Sequence, residues 1–341
     1  MNNKILIIHT YGMGDMIMFT PALQLLQKQY PNAQIDIYIT QKNSALPIFN
    51  NTRLKIIYSE KKFLGLFHDI VKLRKTKYDI SITTSGGSSF KHGLFAFFVG
   101  AKKRLGESYS HSSIFYNVNT NYKEPLHRVE NNIEIVKKLF NKPISKIPKP
   151  LFLIPKSMEH DIKTFLHQHN LKNKILFGIH PGNNKTSSFR RWPIQYYIKI
   201  VQQLQQDFKN IQCLFFLGPD EKELEKIISQ QTHSLIVKEK SIYFVAKLIE
   251  HCSFFFNSDS GLGHVASCFS PHIFTIFSDA LPYKISPYTE NKTIISANLP
   301  CQPCYYKNHS KGCNNMKCLW TLSPEKVYPI IKNKIKGEYE K

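Results

Sequence analysis

Short apolar runs that end in small polar turns and give way to helical periodicity recur through both halves of this chain. In the first half Lys4–His9, Gln34–Ile39, Leu54–Tyr58 and Tyr78–Thr83 read as strands. Segments at about Asp15–Tyr30, Phe63–Thr76 and Ser88–Val99 read as helices. His127–Phe140 reads as a further helix, with Ile133, Val136 and Leu139 on one face. Such a strand–helix rhythm predicts an α/β fold built on a parallel, doubly wound sheet.

The rhythm resumes in the second half. Ile175–Ile179, Cys213–Leu217, Phe254–Phe256 and Ile273–Phe277 are predicted strands. Pro193 opens a helix with Ile194, Tyr197, Ile198, Val201 and Leu204 at helical spacing. Glu221–Ser229 is predicted helical, and Ser241 can cap a helix bearing Phe244, Val245, Leu248 and Ile249. Ser323-Pro324 opens a terminal helix. Between the halves, Pro143, Pro148 and Pro150 exclude a helix interior and predict a stiff extended linker. The expected domains are 1–145 and 146–341.

A chain of 341 residues exceeds one ordinary core, and 42% hydrophobic residues are enough for two folded ones. The apolar run around Leu94–Val99 is far too short to span a membrane, and Met1–Ile8 too short for a signal-peptide core. A cytoplasmic protein is expected. Its 46 basic against 24 acidic residues give a formal charge of +22, which favours an anionic partner: nucleic acid, an acidic membrane surface or a phosphorylated substrate. No tight basic run or RNA-binding signature selects nucleic acid.

The polar turns at predicted strand ends are where an open α/β sheet binds its ligands. The first is Gly12-Met13-Gly14-Asp15. Its glycines permit a turn and close approach of a ligand. Asp15 has two readings, a helix N-cap or a general base for an acceptor hydroxyl. A third glycine is missing, so the turn is not the dinucleotide fingerprint. The second turn runs from His180-Pro181-Gly182-Asn183-Asn184 through Lys185, Thr186, Ser187 and Ser188 to Arg190-Arg191-Trp192-Pro193. Its cations, amides and hydroxyls suit a pyrophosphate; the alternative is a solvated basic loop anchored by Trp192. Gly218-Pro219-Asp220-Glu221 offers carboxylates to a nucleotide ribose or base, or only to a helix dipole. In Asn257-Ser258-Asp259-Ser260-Gly261-Leu262-Gly263-His264, Asp259 suits sugar hydroxyls, while Ser260 and Gly261 offer donors to phosphate. His264 either donates to phosphate or packs locally.

Seven cysteines are present. Cys213, Cys252 and Cys268 sit among apolar residues as small core groups. Cys301, Cys304, Cys313 and Cys318 form C-x2-C-x8-C-x4-C. Four thiolates suit zinc, with His309 as a further candidate, but the spacing is not that of a standard zinc knuckle; reduced thiols are the other reading.

Taken in order, G-M-G-D-M-I-M-F-T-P-A-L at 12–23, H-P-G at 180–182, R-R-W-P at 190–193, L-G-P-D at 217–220 and N-S-D-S-G-L-G-H at 257–264 resemble glycosyltransferase family 9, the lipopolysaccharide heptosyltransferases. Cys301-Gln302-Pro303-Cys304 also resembles a segment of many members. The resemblance covers most of the chain. It implies a GT-B fold, two Rossmann-like domains facing a central cleft, and an inverting transfer that needs no metal or other cofactor. It implies ADP-L-glycero-D-manno-heptose as donor, and the Kdo or heptose of a nascent lipid A core as acceptor. Localisation would be peripheral, at the cytoplasmic face of the inner membrane. Asp15 matches the family's base, and Asp259, Ser260 and Gly261 its donor turn. Asn183, Arg190 and His264 join that donor set, with Gly218 and Asp220 near the nucleotide. Arg190 stands where the family usually has Lys, and Leu262-Gly263 where it usually has Pro-Met. Two rivals carry different expectations: a related enzyme using another nucleotide sugar, and a basic nucleic-acid-binding protein with a zinc cluster.

Overall fold

The computed structural model describes residues 3–60, 63–86, 90–107, 114–118, 120, 126–183, 189–238, 240–304, 313 and 315–339. The chain divides into two compact units, Met1–Leu153 and Ile154–Lys341.

The first unit comprises β1 (Lys4–His9), α1 (Met13–Gln29), β2 (Gln34–Ile39), β3 (Leu54–Tyr58), α2 (Phe63–Lys75), β4 (Ile80–Thr83), α3 (Phe90–Val99), β5 (Lys103–Leu105) and α4 (Arg128–Lys137). Its sheet is parallel throughout, in the order β3-β2-β1-β4-β5. The central β1 places Ile5 to Ile8 wholly out of solvent, as expected of a strand covered on both faces. Pro21 lies inside α1 and removes an N–H. The carbonyl it would have served, that of Ile17, instead accepts the Thr20 hydroxyl at 2.7 Å. Thr20 Oγ1 in turn accepts the Leu151 N–H at 2.8 Å.

That contact helps to set the domain boundary. The units divide after Leu153 rather than at 145/146, because the proline-rich segment is tied back to the first unit. Gln24 Nε2 donates to the Lys149 carbonyl (2.9 Å), and the Leu153 N–H to the Pro47 carbonyl (2.9 Å). The stiff extended stretch is therefore the last layer of the first unit.

The second unit comprises α5 (Met158–Gln168), β6 (Ile175–His180), α6 (Ile194–Asp207), β7 (Ile211–Leu217), α7 (Leu224–Gln231), β8 (Leu235–Lys238), α8 (Ile242–Glu250), β9 (Phe254–Ser258), α9 (Gly261–Ala266), β10 (His272–Phe277), α10 (Pro282–Ile285), β11 (Lys292–Ser296), α11 (Lys317–Trp320) and α12 (Pro324–Tyr339). Its parallel sheet runs β11-β10-β9-β6-β7-β8. The core is aromatic: Phe177, Phe254 and Phe274 pack ring against ring across the adjacent strands β6, β9 and β10, and Trp192 meets Phe256 edge-on at 5.6 Å.

Both units thus have the doubly wound α/β topology that the alternating pattern predicts. The unpredicted strands β5, β8 and β11 are all sheet edges. Each has one neighbour and mixed burial, so none shows the continuous apolar run of a central strand. The α7 helix starts at Leu224 rather than Glu221, since Pro219–Glu221 forms a separate 3-10 turn. The helix predicted from Ser88 begins at Phe90, with Ser88 outside the described residues. Among the described residues no helix is long and apolar enough to cross a membrane.

Candidate active site

In the first unit, β1 ends at His9, and Thr10–Gly12 lead over the sheet edge into α1. Gly12 caps α1 with φ −80° and ψ −175°, an extended conformation open to any residue. A Cβ there would meet only Gln41 Oε1 at 3.6 Å, an ordinary contact. Neither backbone strain nor crowding within the protein demands glycine at this position. His9 is fully buried, with Nε2 3.3 Å from the Gly12 carbonyl and Nδ1 3.0 Å from Thr84 Oγ1. Burial lowers its pKa, against a weaker opposing pull from Asp15. The neutral ring therefore donates from Nε2 to Gly12 and accepts from Thr84.

Asp15 lies in the first turn of α1, beside Gly14, with its side chain about one-fifth exposed. It does not cap the helix. Its Oδ1 accepts from Arg128 Nη1, and no hydrogen bond reaches Oδ2 among the described residues. Arg128 opens α4, whose start is fixed by a reciprocal cap. His127 Nδ1 accepts the Val129 N–H, and Glu130 Oε2 accepts the His127 N–H. The guanidinium lies against Gly86, at φ +95°, where a Cβ would come 2.9 Å from Cζ. Glycine is required here both for its left-handed backbone and for the approach of Arg128. The turn is held in place by buried Glu107, which accepts the Gly86 N–H (2.9 Å) and the Ser85 hydroxyl. Asp15 is thus oriented through Arg128, Gly86 and Glu107.

In the second unit the donor-turn candidates gather at the C-terminal ends of β6, β7, β9 and β10. Arg190 is clamped by Asp279: Nη2 donates to Oδ2 at 2.9 Å, and Nε stands 2.8 Å from Oδ1. Its Nη1 lies 3.6 Å from Asp259 Oδ2. Asn183 Nδ2 donates to the Asp259 carbonyl at 2.7 Å. Asn183, Arg190 and Asp259 are therefore one cluster. Arg190 was expected as a cation for phosphate; here it sits between two carboxylates, which balance its charge. Ser260 is buried, does not cap α9, and its hydroxyl has no hydrogen-bond partner among the described residues. The Gly261 N–H, in the first turn of α9, has no intrahelical acceptor.

The neighbouring Arg191 closes a structural clamp. Its Nη2 donates to Glu221 Oε1 (2.9 Å), to the Asn183 carbonyl (2.6 Å) and to the Asp220 carbonyl (3.3 Å). Glu221 Oε2 accepts the Gly218 N–H at 2.9 Å. Burial raises the Glu221 pKa, although Arg191 and the Gly218 N–H oppose it. Gly182 gives the carboxylate room, since a Cβ there would come 2.3 Å from it. Glu221 is consumed in structure, whereas Asp220 is exposed and contributes its carbonyl to the clamp. His180 is also structural: buried, with Nδ1 donating to the Phe216 carbonyl at 3.0 Å, and its pKa lowered to about 4 by burial. His264 is buried in α9, whose packing depends on Gly263. A Cβ on Gly263 would lie 2.0 Å from Asn257 Nδ2.

The loop 184–188, with Lys185, Thr186, Ser187 and Ser188, lies outside the described residues, as does His309. Cys301 and Cys313 are exposed, Cys304 half-buried and Cys318 buried, all as free thiols. No three of these sulfurs lie within 4.8 Å of one another. The one grouping of that kind among the described residues is Glu60, His68 and Asp69. Asp69 there already accepts from Tyr38, Ser59 and the Glu60 N–H.

Residues 69–314, well over half of the chain, match the sequence profile of glycosyltransferase family 9 (heptosyltransferase). The chain belongs to that family. It is a glycosyltransferase. It is 27% identical to a lipooligosaccharide heptosyltransferase 2 of Campylobacter jejuni, over 98% of this chain and 99% of the relative. Among solved structures it resembles a family 9 glycosyltransferase of Veillonella parvula, with a TM-score of 0.78, 18% identity, and 98% and 97% of the two chains covered. It also resembles the ADP-heptose lps heptosyltransferase II of Escherichia coli, with a TM-score of 0.73, 20% identity, and 98% and 99% covered. The fold is accordingly GT-B.

Asp279, Arg128, Gly86 and Glu107 escape the sequence reading. Asp279 lies two residues past the end of β10, so the strand-end rule that found Asp259 could have found it. Arg128 and Glu107 carry no such local signal, because α4 brings Arg128 to a carboxylate 113 positions earlier.

Proposed function

We propose that this family 9 enzyme transfers heptose from ADP-L-glycero-D-manno-heptose to the Kdo or heptose of a lipopolysaccharide inner core, with inversion at the anomeric carbon. The observation that carries this reading is Asp15: a partly exposed carboxylate beyond a central strand, steered through one oxygen by Arg128 and with the other left to take a proton. The acceptor hydroxyl gives its proton to Asp15 while its oxygen forms the new bond to the anomeric carbon. The bond from that carbon to the β-phosphate oxygen breaks, and ADP departs with the electron pair. Diphosphate is a good leaving group, so a single carboxylate suffices, unlike the paired carboxylates of glycosidases.

The donor contacts proposed are the Ser260 hydroxyl and Gly261 N–H to the leaving phosphate, and Asp259 to sugar hydroxyls. Asn183 and Arg190 hold Asp259 in place. His264, Gly218 and Asp220 complete the nucleotide side of the proposal. Support for the reading comes from the names of two similar proteins, the ADP-heptose lps heptosyltransferase II of Escherichia coli and the lipooligosaccharide heptosyltransferase 2 of Campylobacter jejuni. A second reading, transfer from another nucleotide sugar, is favoured by the engagement of Arg190 with Asp279 in place of a free lysine ammonium.

Mass spectrometry of Kdo-terminated and heptose-terminated lipid A acceptors incubated with ADP-heptose tests the main reading. A product one heptose heavier is expected. Product only with a UDP- or GDP-sugar would replace it by the second. Asp15→Asn is expected to retain fold and ADP binding and to lower turnover at least about 100-fold. Unchanged turnover would remove Asp15 from the chemistry.

A further inference from the structure

The apolar run 90–99 forms a helix whose two faces meet different surroundings. Phe95, Ala96 and Val99 are buried with Leu6, Tyr38, Leu73 and Tyr116 in the core of the first unit. Phe90, Phe97 and Phe98 are 52%, 46% and 45% exposed. These are not scattered singles. Phe97 packs edge-on to Phe98 at 5.8 Å, and Phe115 links Phe97 (6.0 Å) to Phe90 (5.0 Å). Beside them Ile114 is 73% exposed, and on α2 Phe67 is 70% exposed. Contiguous exposed aromatic surface of this kind marks a contact site rather than ordinary surface.

Cations are set into this face. The Arg104 guanidinium lies 5.4 Å from the Phe97 ring centroid, and Arg74 Nη1 donates to the Phe98 carbonyl at 3.1 Å. From α2 through β5, residues 63–104, the chain has eight Lys and Arg against two acids, Asp69 and Asp79. Asp69 is buried, and Asp79 is held by Lys102 at 2.8 Å. Little negative charge therefore offsets Lys72, Arg74, Lys75, Lys91 and Lys103.

We infer that the outer face of α3, with the basic ends of α2 and β5, docks this enzyme on an anionic lipid bilayer. Exposed phenylalanines supply the apolar area that enters the acyl boundary, and the interleaved cations meet anionic headgroups. The charge complementarity selects a bilayer over a second copy of this chain, which would bring two equally basic faces together. The inference deepens the proposed reading, in which the acceptor is lipid-linked.

Co-sedimentation of the purified chain with vesicles tests it without donor or acceptor. Binding is expected to phosphatidylcholine vesicles containing phosphatidylglycerol, and to weaken with added salt. Phe97→Ser/Phe98→Ser, both at exposed positions, should lower the partition coefficient about tenfold. Its circular dichroism and its transfer to a soluble, deacylated acceptor should match wild type. Three results would overturn the inference: no vesicle binding by wild type, equal binding by the variant, or a wild-type dimer that the variant dissolves. Lost vesicle binding with intact transfer would leave the proposed function standing. Vesicle binding with no heptosyl transfer would remove that function and leave the docking face.

Discussion

Asp279→Ala tests whether the Arg190 cluster is held as a unit. The guanidinium side chain is 15% exposed and Asp279 5% exposed, so solvent screens their pairing poorly. Removing one partner of a fully buried, hydrogen-bonded pair costs about 3–5 kcal/mol, mostly because the other charge stays buried and unpaired. Arg190 would not be wholly stranded, because Asp259 lies 3.6 Å away and can swing closer. The expected loss is therefore smaller, about 2–3 kcal/mol. For a unit of this size each kcal/mol lowers Tm by about 2–4 °C, which gives a drop of about 4–12 °C. Urea unfolding followed by circular dichroism measures the free-energy loss, and thermal melts the Tm drop. Arg190→Met should cost more, since it leaves Asp259 and Asp279 facing each other without a cation. The double variant Arg190→Met/Asp279→Ala should then be less destabilised than the sum of the singles, by about 1.5 kcal/mol or more. A loss below about 0.5 kcal/mol for Asp279→Ala, or strictly additive costs, would show that the clamp holds nothing.

The remaining predictions address the supports of the two turns. His180 has its folded pKa lowered to about 4, below the unfolded value near 6.5, so the unfolded chain binds more protons between those pH values. The stability of the neutral ring is present above about pH 6.5 and is lost as pH falls toward 4; thermal melts across that window should show a steeper decline for wild type than for His180→Asn, and parallel declines would refute the assignment. Gly263→Ala places a methyl 2.0 Å from Asn257 Nδ2, which must move and give up the Thr275 hydroxyl it receives at Oδ1; a loss of about 2–4 kcal/mol in urea unfolding is expected, and a neutral substitution would refute the crowding. Arg128→Met should reduce kcat with little change in the KM for ADP-heptose, because it loosens Asp15 and not the donor turn; an effect on donor KM alone would refute the positioning role.

What the sequence discloses of this site follows from how each residue is specified. The turns at Gly12–Asp15 and Asn257–His264 are local events: an apolar strand, small residues, then a helix start, all within about a dozen positions. Their place at the carboxyl ends of strands follows from parallel topology, which the alternation itself dictates. The partners of those turns are specified elsewhere. Arg128 reaches Asp15 because α1 and α4 pack together, and its approach also requires Gly86 to take a left-handed backbone; none of these positions shows a spacing that links it to the others. Charge is the subtler case. A lone Arg190 in a basic loop reads as a phosphate ligand, and only the fold puts Asp259 and Asp279 against it. The apolar run at 90–99 shows the same ambiguity from the other side, since composition alone does not divide a helix between core and surface. Burial of Phe95 and Val99 beside exposure of Phe97 and Phe98 makes that division, and turns an undirected apolar signal into a face with a direction. A residue type thus indicates which chemistry is available, and the packing around it decides whether that chemistry is spent within the protein or kept for a ligand.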